Sequence, residues 1–389
     1  MLVHFTQYLY ILYFFYIMLT DKQIREIKEH LENAQNPLFF FDNDNDGLCS
    51  FLLLRRFLDR GKGVAIRSFP DLNKSYYRKV EELKPDYIFI LDKPVVSKDF
   101  IEKAKEDNLP VVWIDHHDTE QKDRIFCSVS QSSKRNNSEE LCDIEYMDDG
   151  YVNYYNPFLN DKTYEPVSSI CQKLTGNKED IWLAVIGCIS DCYVPDFYPE
   201  FEKKYPELGK KNPESPFELL YKTEIGRISR ILDFSLKDST TNVVSMIKFM
   251  MNVQGPMDVL EENTKTKQIL KKFNEIDKKY QALIERARKL KEKKFIYFQY
   301  GGSLSLSANL ANQLSFEFPD KIIVVVYINN DIANISIRGK GDVRKLTLEA
   351  ISGIEGATGG GHKNATGAKM LVSYLPVFKK KLEKLIKEI

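Results

Sequence analysis

The chain has 389 residues, enough for two or three domains. At 43% hydrophobic and 29% charged it reads as an ordinary globular protein with real cores, which excludes a disordered or fibrous chain. Lys plus Arg equals Asp plus Glu at 56 each, so there is no bulk electrostatic pull toward nucleic acid or an anionic membrane, and any polyanion site must be local or borrow positive charge from metal ions.

The N-terminal run YLYILYFFYIML (8–19) is unbroken in its apolar and aromatic character. It is shorter than the ~18–20 residues that span a bilayer. No basic residue precedes it and no small-residue cleavage site follows, so it makes a poor signal peptide. The reading is that translation starts at Met18 and that residues 1–17 are not part of the natural product; a membrane anchor and a packed extra helix are the alternatives. Thr20 is a good N-cap for the amphipathic stretch DKQIREIKEHLENA.

From residue 37 the pattern alternates. PLFFF (37–41), VAIRSF (64–69), DYIFIL (86–91) and VVWI (111–114) read as buried strands. Helical stretches at 47–61, 75–84 and 97–107 separate them. Short apolar runs divided by ten-residue helices predict a doubly wound parallel sheet. SVSQSSKRNNSEEL (128–141) reads as a surface loop or insertion. Residues 165–174 and 180–192 look helical, 194–216 is proline-rich and charged, and 217–294 is helical in character.

Within 265–294, twelve basic against four acidic residues leave a net charge of +8. A solvated linker helix and a phosphate-backbone contact surface both fit that pattern. A smaller α/β unit with a mixed sheet follows. It comprises a strand at 295–300, a helix at 304–318, a strand pair at 321–328 and 333–339 turning at Asn329-Asn330-Asp331, a helix at 344–352, a glycine-rich loop at 353–361, a short strand at 368–373 and a terminal helix at 375–389. The fold class is therefore α/β: an N-terminal parallel sheet, a helical connector and a smaller C-terminal α/β domain.

Six scattered cysteines with no C-x-x-C pair fit reduced thiols in a cytosol better than a disulfide framework. Cys188 and Cys192, four apart in the helical stretch 180–192, read as two buried small residues.

Three of the four N-terminal strands end alike. PLFFF runs into Asp42-Asn43-Asp44-Asn45-Asp46-Gly47, YIFIL into Asp92, and VVWI into Asp115-His116-His117. Ligands of open parallel sheets bind at the carboxyl ends of the strands. So many carboxylates at one edge would repel one another and force protonation unless divalent cations offset the charge. Carboxylate oxygen with imidazole nitrogen and no thiolate suits manganese best, with magnesium or zinc next. An EF-hand reading of DNDNDG fails, because the twelfth loop position is Leu53 and a strand precedes the loop. The chain has five histidines, and two adjacent ones behind an Asp after an apolar strand are hard to explain as packing. Asp191 ends the apolar helix WLAVIGCIS.

In that order these motifs resemble the DHH phosphoesterase family, which includes the RecJ nucleases: DNDNDG, the Asp92 strand end, Asp115-His116-His117 and GCISD. SIRG (336–339) and Gly359-Gly360-Gly361-His362 resemble the DHH-associated substrate-binding domain. The likeness covers about residues 36–375.

The sequence pattern sets apart an apolar extension at 1–19, and with it the resemblance divides the rest into a catalytic domain at 20–216, a helical connector at 217–294 and a substrate-binding domain at 295–389. The resemblance implies two cations, one held by Asp42, Asp44 and Asp92, the other by Asp46, Asp92, His116 and Asp191. His117 would face the scissile phosphate, and Asp115 would orient the histidines. Arg338, Gly359, Gly360, Gly361 and His362 would grip substrate phosphate. This chain departs from the pattern where Asp42 stands at a position often held by His, and where Lys93-Pro94 follows Asp92 in place of a small residue and glycine.

The implied activity is a single-strand-specific exonuclease acting on DNA or RNA and releasing mononucleotides. Alternatives are a phosphodiesterase acting on short oligonucleotides or cyclic dinucleotides, and a non-catalytic replisome scaffold that binds GINS. The filled ligand positions disfavour the scaffold.

Overall fold

A computed structural model describes residues 18–67, 71–118, 125–126, 151–291 and 295–388. Most of the apolar N-terminal run and all of the polar 128–141 stretch lie outside the described residues. The chain forms two compact units, divided between Thr266 and Lys267.

The first unit begins with α1 (Asp21–Asn33). Thr20 caps it as the sequence predicts: the Gln23 N–H donates to Thr20 Oγ1 at 3.2 Å, and the Thr20 N–H donates to Gln23 Oε1 at 2.9 Å. There follow β1 (Pro37–Asp42), α2 (Asn45–Leu58), β2 (Lys62–Ile66), β3 (Asp71–Leu72), α3 (Tyr77–Leu83), β4 (Tyr87–Leu91), β5 (Val95–Ser97), α4 (Lys98–Glu106), β6 (Val111–Ile114), β7 (Ile125–Phe126) and β8 (Val152–Tyr155). The main sheet is parallel throughout in the order β2-β1-β4-β6-β8. A small parallel sheet, β3-β5-β7, stands beside it.

The strands are apolar on both faces because both faces are covered. Leu38, Phe40, Ile88, Ile90 and Trp113 pack with Tyr77, Val80, Phe100 and Ile101 on one side. On the other, Phe41 stacks on Phe51 of α2 at 4.9 Å between ring centroids. Each such ring, fully buried, contributes roughly 1.5–3 kcal/mol.

Register sets the functional edge. Phe41 lies opposite Leu91, and Leu91 opposite Ile114. Asp42, Asp92 and Asp115 therefore emerge side by side where neighbouring strands end.

Helices complete the unit: α5 (Pro157–Asp161), α6 (Val167–Thr175), α7 (Ile181–Ser190), α8 (Tyr198–Lys204), α9 (Pro216–Lys222), α10 (Glu224–Leu236), α11 (Thr240–Met250) and α12 (Met257–Leu260). The α7 helix is buried from Ile181 through Ile189 and so carries no polar face. It packs with α2 and α6 at close range. A Cβ on Gly187 would lie 2.3 Å from Ser168 Oγ, and one on Gly47 would lie 2.5 Å from the Asp42 carbonyl oxygen.

The second unit contains α13 (Lys267–Arg288), β9 (Ile296–Gly301), α14 (Ser307–Glu317), β10 (Ile323–Asn329), β11 (Ile332–Arg338), α15 (Val343–Ile351), β12 (Thr358–His362), β13 (Ala365–Leu371) and α16 (Leu375–Glu388). Its mixed sheet runs β12-β13-β11-β10-β9. The β10–β11 hairpin turns at Asn330-Asp331, where Asn330 takes the left-handed conformation that such two-residue turns need. The basic segment is amphipathic: Leu270, Phe273, Ile276, Tyr280 and Ile284 are buried along one stripe of α13.

Two expectations are corrected and one strand is added. Residues 358–362 form the edge strand β12, paired antiparallel to β13, rather than part of a loop. The β8 strand has no counterpart in the sequence reading; its VNYY pattern is short and only its ends are buried. Cys192 is exposed, since α7 stops at Ser190 and Cys192 turns into the left-handed region. Among the described residues no helix is long and apolar enough to cross a membrane.

Candidate metal centre

Each acidic side chain at this edge is placed by a backbone device. Asp42 is the last residue of β1. Asp44 is the N-cap of α2, its Oδ1 accepting from the Gly47 N–H at 3.0 Å. Asp46, in the first turn of α2, is fully buried. Its two oxygens accept the Val167 and Ser168 N–H groups at 2.7 and 2.9 Å, so a carboxylate sits on the N-terminus of α6. Asp92 follows β4 in a left-handed conformation (φ 58°) and is 1% exposed. Asp191 caps the C-terminal end of α7 and accepts a hydrogen bond from the Tyr164 hydroxyl at 3.1 Å.

The imidazole of His116 gathers these groups. Its Nε2 lies 3.1 Å from Asp92 Oδ1 and 3.3 Å from Asp191 Oδ2. Among the described residues, side chains offering ligand atoms mutually within 4.8 Å form two overlapping groups, Asp46–His116–Asp191 and Asp92–His116–His117. Asp42 and Asp44 belong to neither. The Asp42 Oδ1 instead accepts from the Lys93 ammonium at 2.9 Å, and Lys93 is fully buried.

His117 is turned by its neighbours. Its Nδ1 lies 2.7 Å from Asp115 Oδ1. Asp115 is buried, and its Oδ2 accepts the Tyr154 hydroxyl at 3.2 Å. Asn156 donates to the Tyr154 hydroxyl at 2.8 Å and to the His117 carbonyl at 3.0 Å, closing the support.

The electrostatics follow from crowding. Burial, then the Asp42 carboxylate, push Asp44 up to about 7, although the Gly47 N–H opposes the shift. Burial raises Asp46 against the hydrogen bonds from Ser168 and Val167. Burial and then the neighbouring Asp44 and Asp46 charges push Asp92 well above the carboxylate range, and burial with Asp46 and Asp44 does the same to Asp191. Burial alone would lower His117, but Asp115 and its hydrogen bond, with Asp191 and Asp42, hold it at about 9.

Carboxyl groups so placed cannot all stay ionised without a counter-charge. Asp92 Oδ1 is buried and receives no hydrogen bond among the described residues. An oxygen in that state, beside an imidazole nitrogen and two further carboxylates, fits a divalent cation.

The geometry thus brings together Asp46, Asp92, His116 and Asp191, with His117 and Asp115 beside them. Lys93, Tyr164, Tyr154 and Asn156 also belong to the centre and were not among the candidates from sequence. Only Lys93 left a trace there, as a lysine between an apolar strand and a proline.

In the second unit, Arg338 ends β11 and donates from Nε to Asn312 Oδ1 at 2.6 Å. Gly359, Gly360 and Gly361 lie on β12, the outermost strand of the sheet, and His362 is its last residue. A Cβ on Gly360 would meet nothing within 4 Å, so the strand is open at that point.

Two family models match the chain: the DHH family, N-terminal domain, over residues 38–145, and the DHHA1 domain over residues 292–388. Among solved structures, RecJ from Thermus thermophilus in complex with Mn2+ is 15% identical, with a TM-score of 0.62 over 95% of this chain and 55% of that one. An exonuclease RecJ bound to manganese is 15% identical with a TM-score of 0.60, over 94% of this chain and 95% of that one. The DHH domain of a member of the s1p family of ribosomal proteins is 13% identical with a TM-score of 0.61, over 94% of this chain and 89% of that one. The TM-scores establish a shared fold, and the chain spans about half the length of the Thermus protein. No curated protein matches it in sequence.

Proposed function

The chain belongs to the DHH phosphoesterase family, and from that premise we propose that it is a divalent-cation-dependent phosphodiesterase that removes mononucleotides from single-stranded DNA or RNA. The observation that carries this reading is the convergence of Asp92 and Asp191 on His116 Nε2, with Asp46 beside them and one Asp92 oxygen left without a hydrogen bond.

Asp46, Asp92, His116 and Asp191 would hold the cation, manganese by the ligand mix, with magnesium next. The cation supplies Lewis-acid stabilisation of the charge that develops on a phosphoryl oxygen. The chain's own residues do the rest. Asp115, fixed by Tyr154, fixes the His117 ring through Nδ1. So held, the His117 ring would present an N–H to a non-bridging oxygen. The N-terminus of α6 fixes the orientation of Asp46 through both of its oxygens. Arg338, the Gly359–Gly361 backbone and His362 are the proposed phosphate contacts of the second unit, where glycines allow close approach of N–H groups.

The test is to incubate the protein and Mn2+ with end-labelled single strands of DNA and RNA in several lengths, beside cyclic dinucleotides. Mononucleotides released progressively from long strands are expected, and Asp92→Ala should abolish them. Cleavage confined to dinucleotides and short oligomers would overturn the exonuclease reading, and undiminished turnover by Asp92→Ala would overturn the site.

A further inference from the structure

We propose that the Lys93 ammonium takes the place of one of the two cations implied by the family resemblance, so that this centre holds a single divalent ion. The inference rests on the cation-dependent reading above and concerns how many ions that reading needs.

The argument begins with register. The β1 and β4 strands are parallel neighbours, with Phe41 opposite Leu91, so Asp42 and Asp92 follow side by side. Asp92 takes a left-handed conformation just past the end of β4. The Lys93 carbonyl accepts from the Trp113 indole N–H at 2.8 Å, which pins the backbone there. The side chain is fully buried, and its ammonium reaches Asp42 Oδ1 at 2.9 Å. A buried ammonium persists only when paired, and Asp42 is its partner here.

Of the three carboxylates that would form the first ion's site, Asp42 is therefore taken up by a fixed cation. Asp42 neutralises Lys93. Asp44 caps α2 through the Gly47 N–H. Asp92 faces His116 Nε2. No group of mutually close ligand atoms among the described residues contains Asp42 or Asp44. Both groups that do form contain His116. The Nε2 atom, which lies nearest both Asp92 and Asp191, has one lone pair and can bind one ion. Lys93 thus acts as a positioning residue: a fixed positive charge that holds Asp42 and repels a second cation.

The experiment is Mn2+ binding to the full chain, read by native mass spectrometry and by electron paramagnetic resonance. One ion per chain with an uncoupled, mononuclear Mn2+ signal is expected. Any second ion should bind at least about a thousandfold more weakly, the size of unit-charge repulsion at ~4 Å in a protein-like dielectric. Two ions of comparable affinity with a spin-coupled signal would overturn the inference and leave the phosphodiesterase reading standing. No bound ion at all would overturn both. Lys93→Met should admit a second ion, and its failure to do so in a folded protein would overturn the role of the ammonium. Asp42→Asn, which leaves the gathered ligands intact, should keep one ion; loss of that ion would show Asp42 to be a ligand and overturn the assignment.

Discussion

The crowding of carboxyl groups makes folding of the cation-free protein a proton-binding reaction. Asp44 is pushed from 3.8 to about 7, chiefly by burial and then by Asp42. The folded state then holds a proton that the unfolded state has released, wherever the pH lies between those values. Its contribution to stability is fully present below about pH 4 and is lost as the pH rises through about 7. Between pH 5 and pH 8 the loss is roughly 3 kcal/mol for this group, about two pH units at the usual conversion. For a unit of this size that is roughly 6–10 °C in melting temperature. Asp46, Asp92 and Asp191 are raised too, and act with the same sign.

A divalent cation reverses the trend, because it binds the ionised carboxylates and binds them better at higher pH. The assay is thermal unfolding of EDTA-treated protein at pH 5, 6, 7 and 8, with and without Mn2+. The cation-free melting temperature should fall across the series, and the gain from Mn2+ should be largest at pH 8. Asp44→Asn should remove part of the slope. A flat or rising cation-free profile, or an equal gain from Mn2+ at every pH, would refute the charge-crowding argument.

Two further outcomes follow from contacts at the centre. Gly187→Ala places a methyl group 2.3 Å from Ser168 Oγ and 3.1 Å from Asp46 Oδ1. It should cost about 1–3 kcal/mol in urea unfolding by overpacking, and should weaken Mn2+ binding because Ser168 carries one of the N–H groups that hold Asp46. Wild-type stability with unchanged Mn2+ affinity would count against that coupling. Asp115→Asn removes the charge that holds His117 at about 9, so the imidazole should titrate nearer 6.5 in an NMR pH series on the cation-free protein. An unmoved titration would assign the shift to other neighbours.

The carboxylate row was legible in the sequence because strand periodicity is local. Four apolar runs announce a parallel sheet, and the three of them that end in Asp or Asp-His-His name its functional edge before any contact is known. What stayed hidden depends on partners distant in the chain. Nothing in EPVSS says that the N–H groups of Val167 and Ser168 will close on Asp46, 121 and 122 residues away. Nothing in LDKP says where a lysine side chain ends. The β12 strand was hidden for a different reason: glycines carry no β signal, and Gly359–Gly361 take strand form because β13 offers them a ladder. The β8 strand, four residues long with two partly exposed, gave too short a pattern to separate from its polar surroundings.

The whole-chain balance of 56 basic against 56 acidic residues conceals a local imbalance. Asp42, Asp44, Asp46, Asp92, Asp115 and Asp191 crowd one end of one sheet, where the described cationic groups in contact with them are Lys93 and His117. Lys93 is already committed to Asp42, and His117 to Asp115. In the cation-free protein that edge sheds part of its charge by holding protons, since Asp44 is pushed up to about 7 and Asp46, Asp92 and Asp191 are raised as well. A divalent cation bound there would displace those protons, so the two compete for the same oxygens. Since linkage is reciprocal, raising the pH tightens the hold on the ion, and the ion in turn lowers the carboxyl groups.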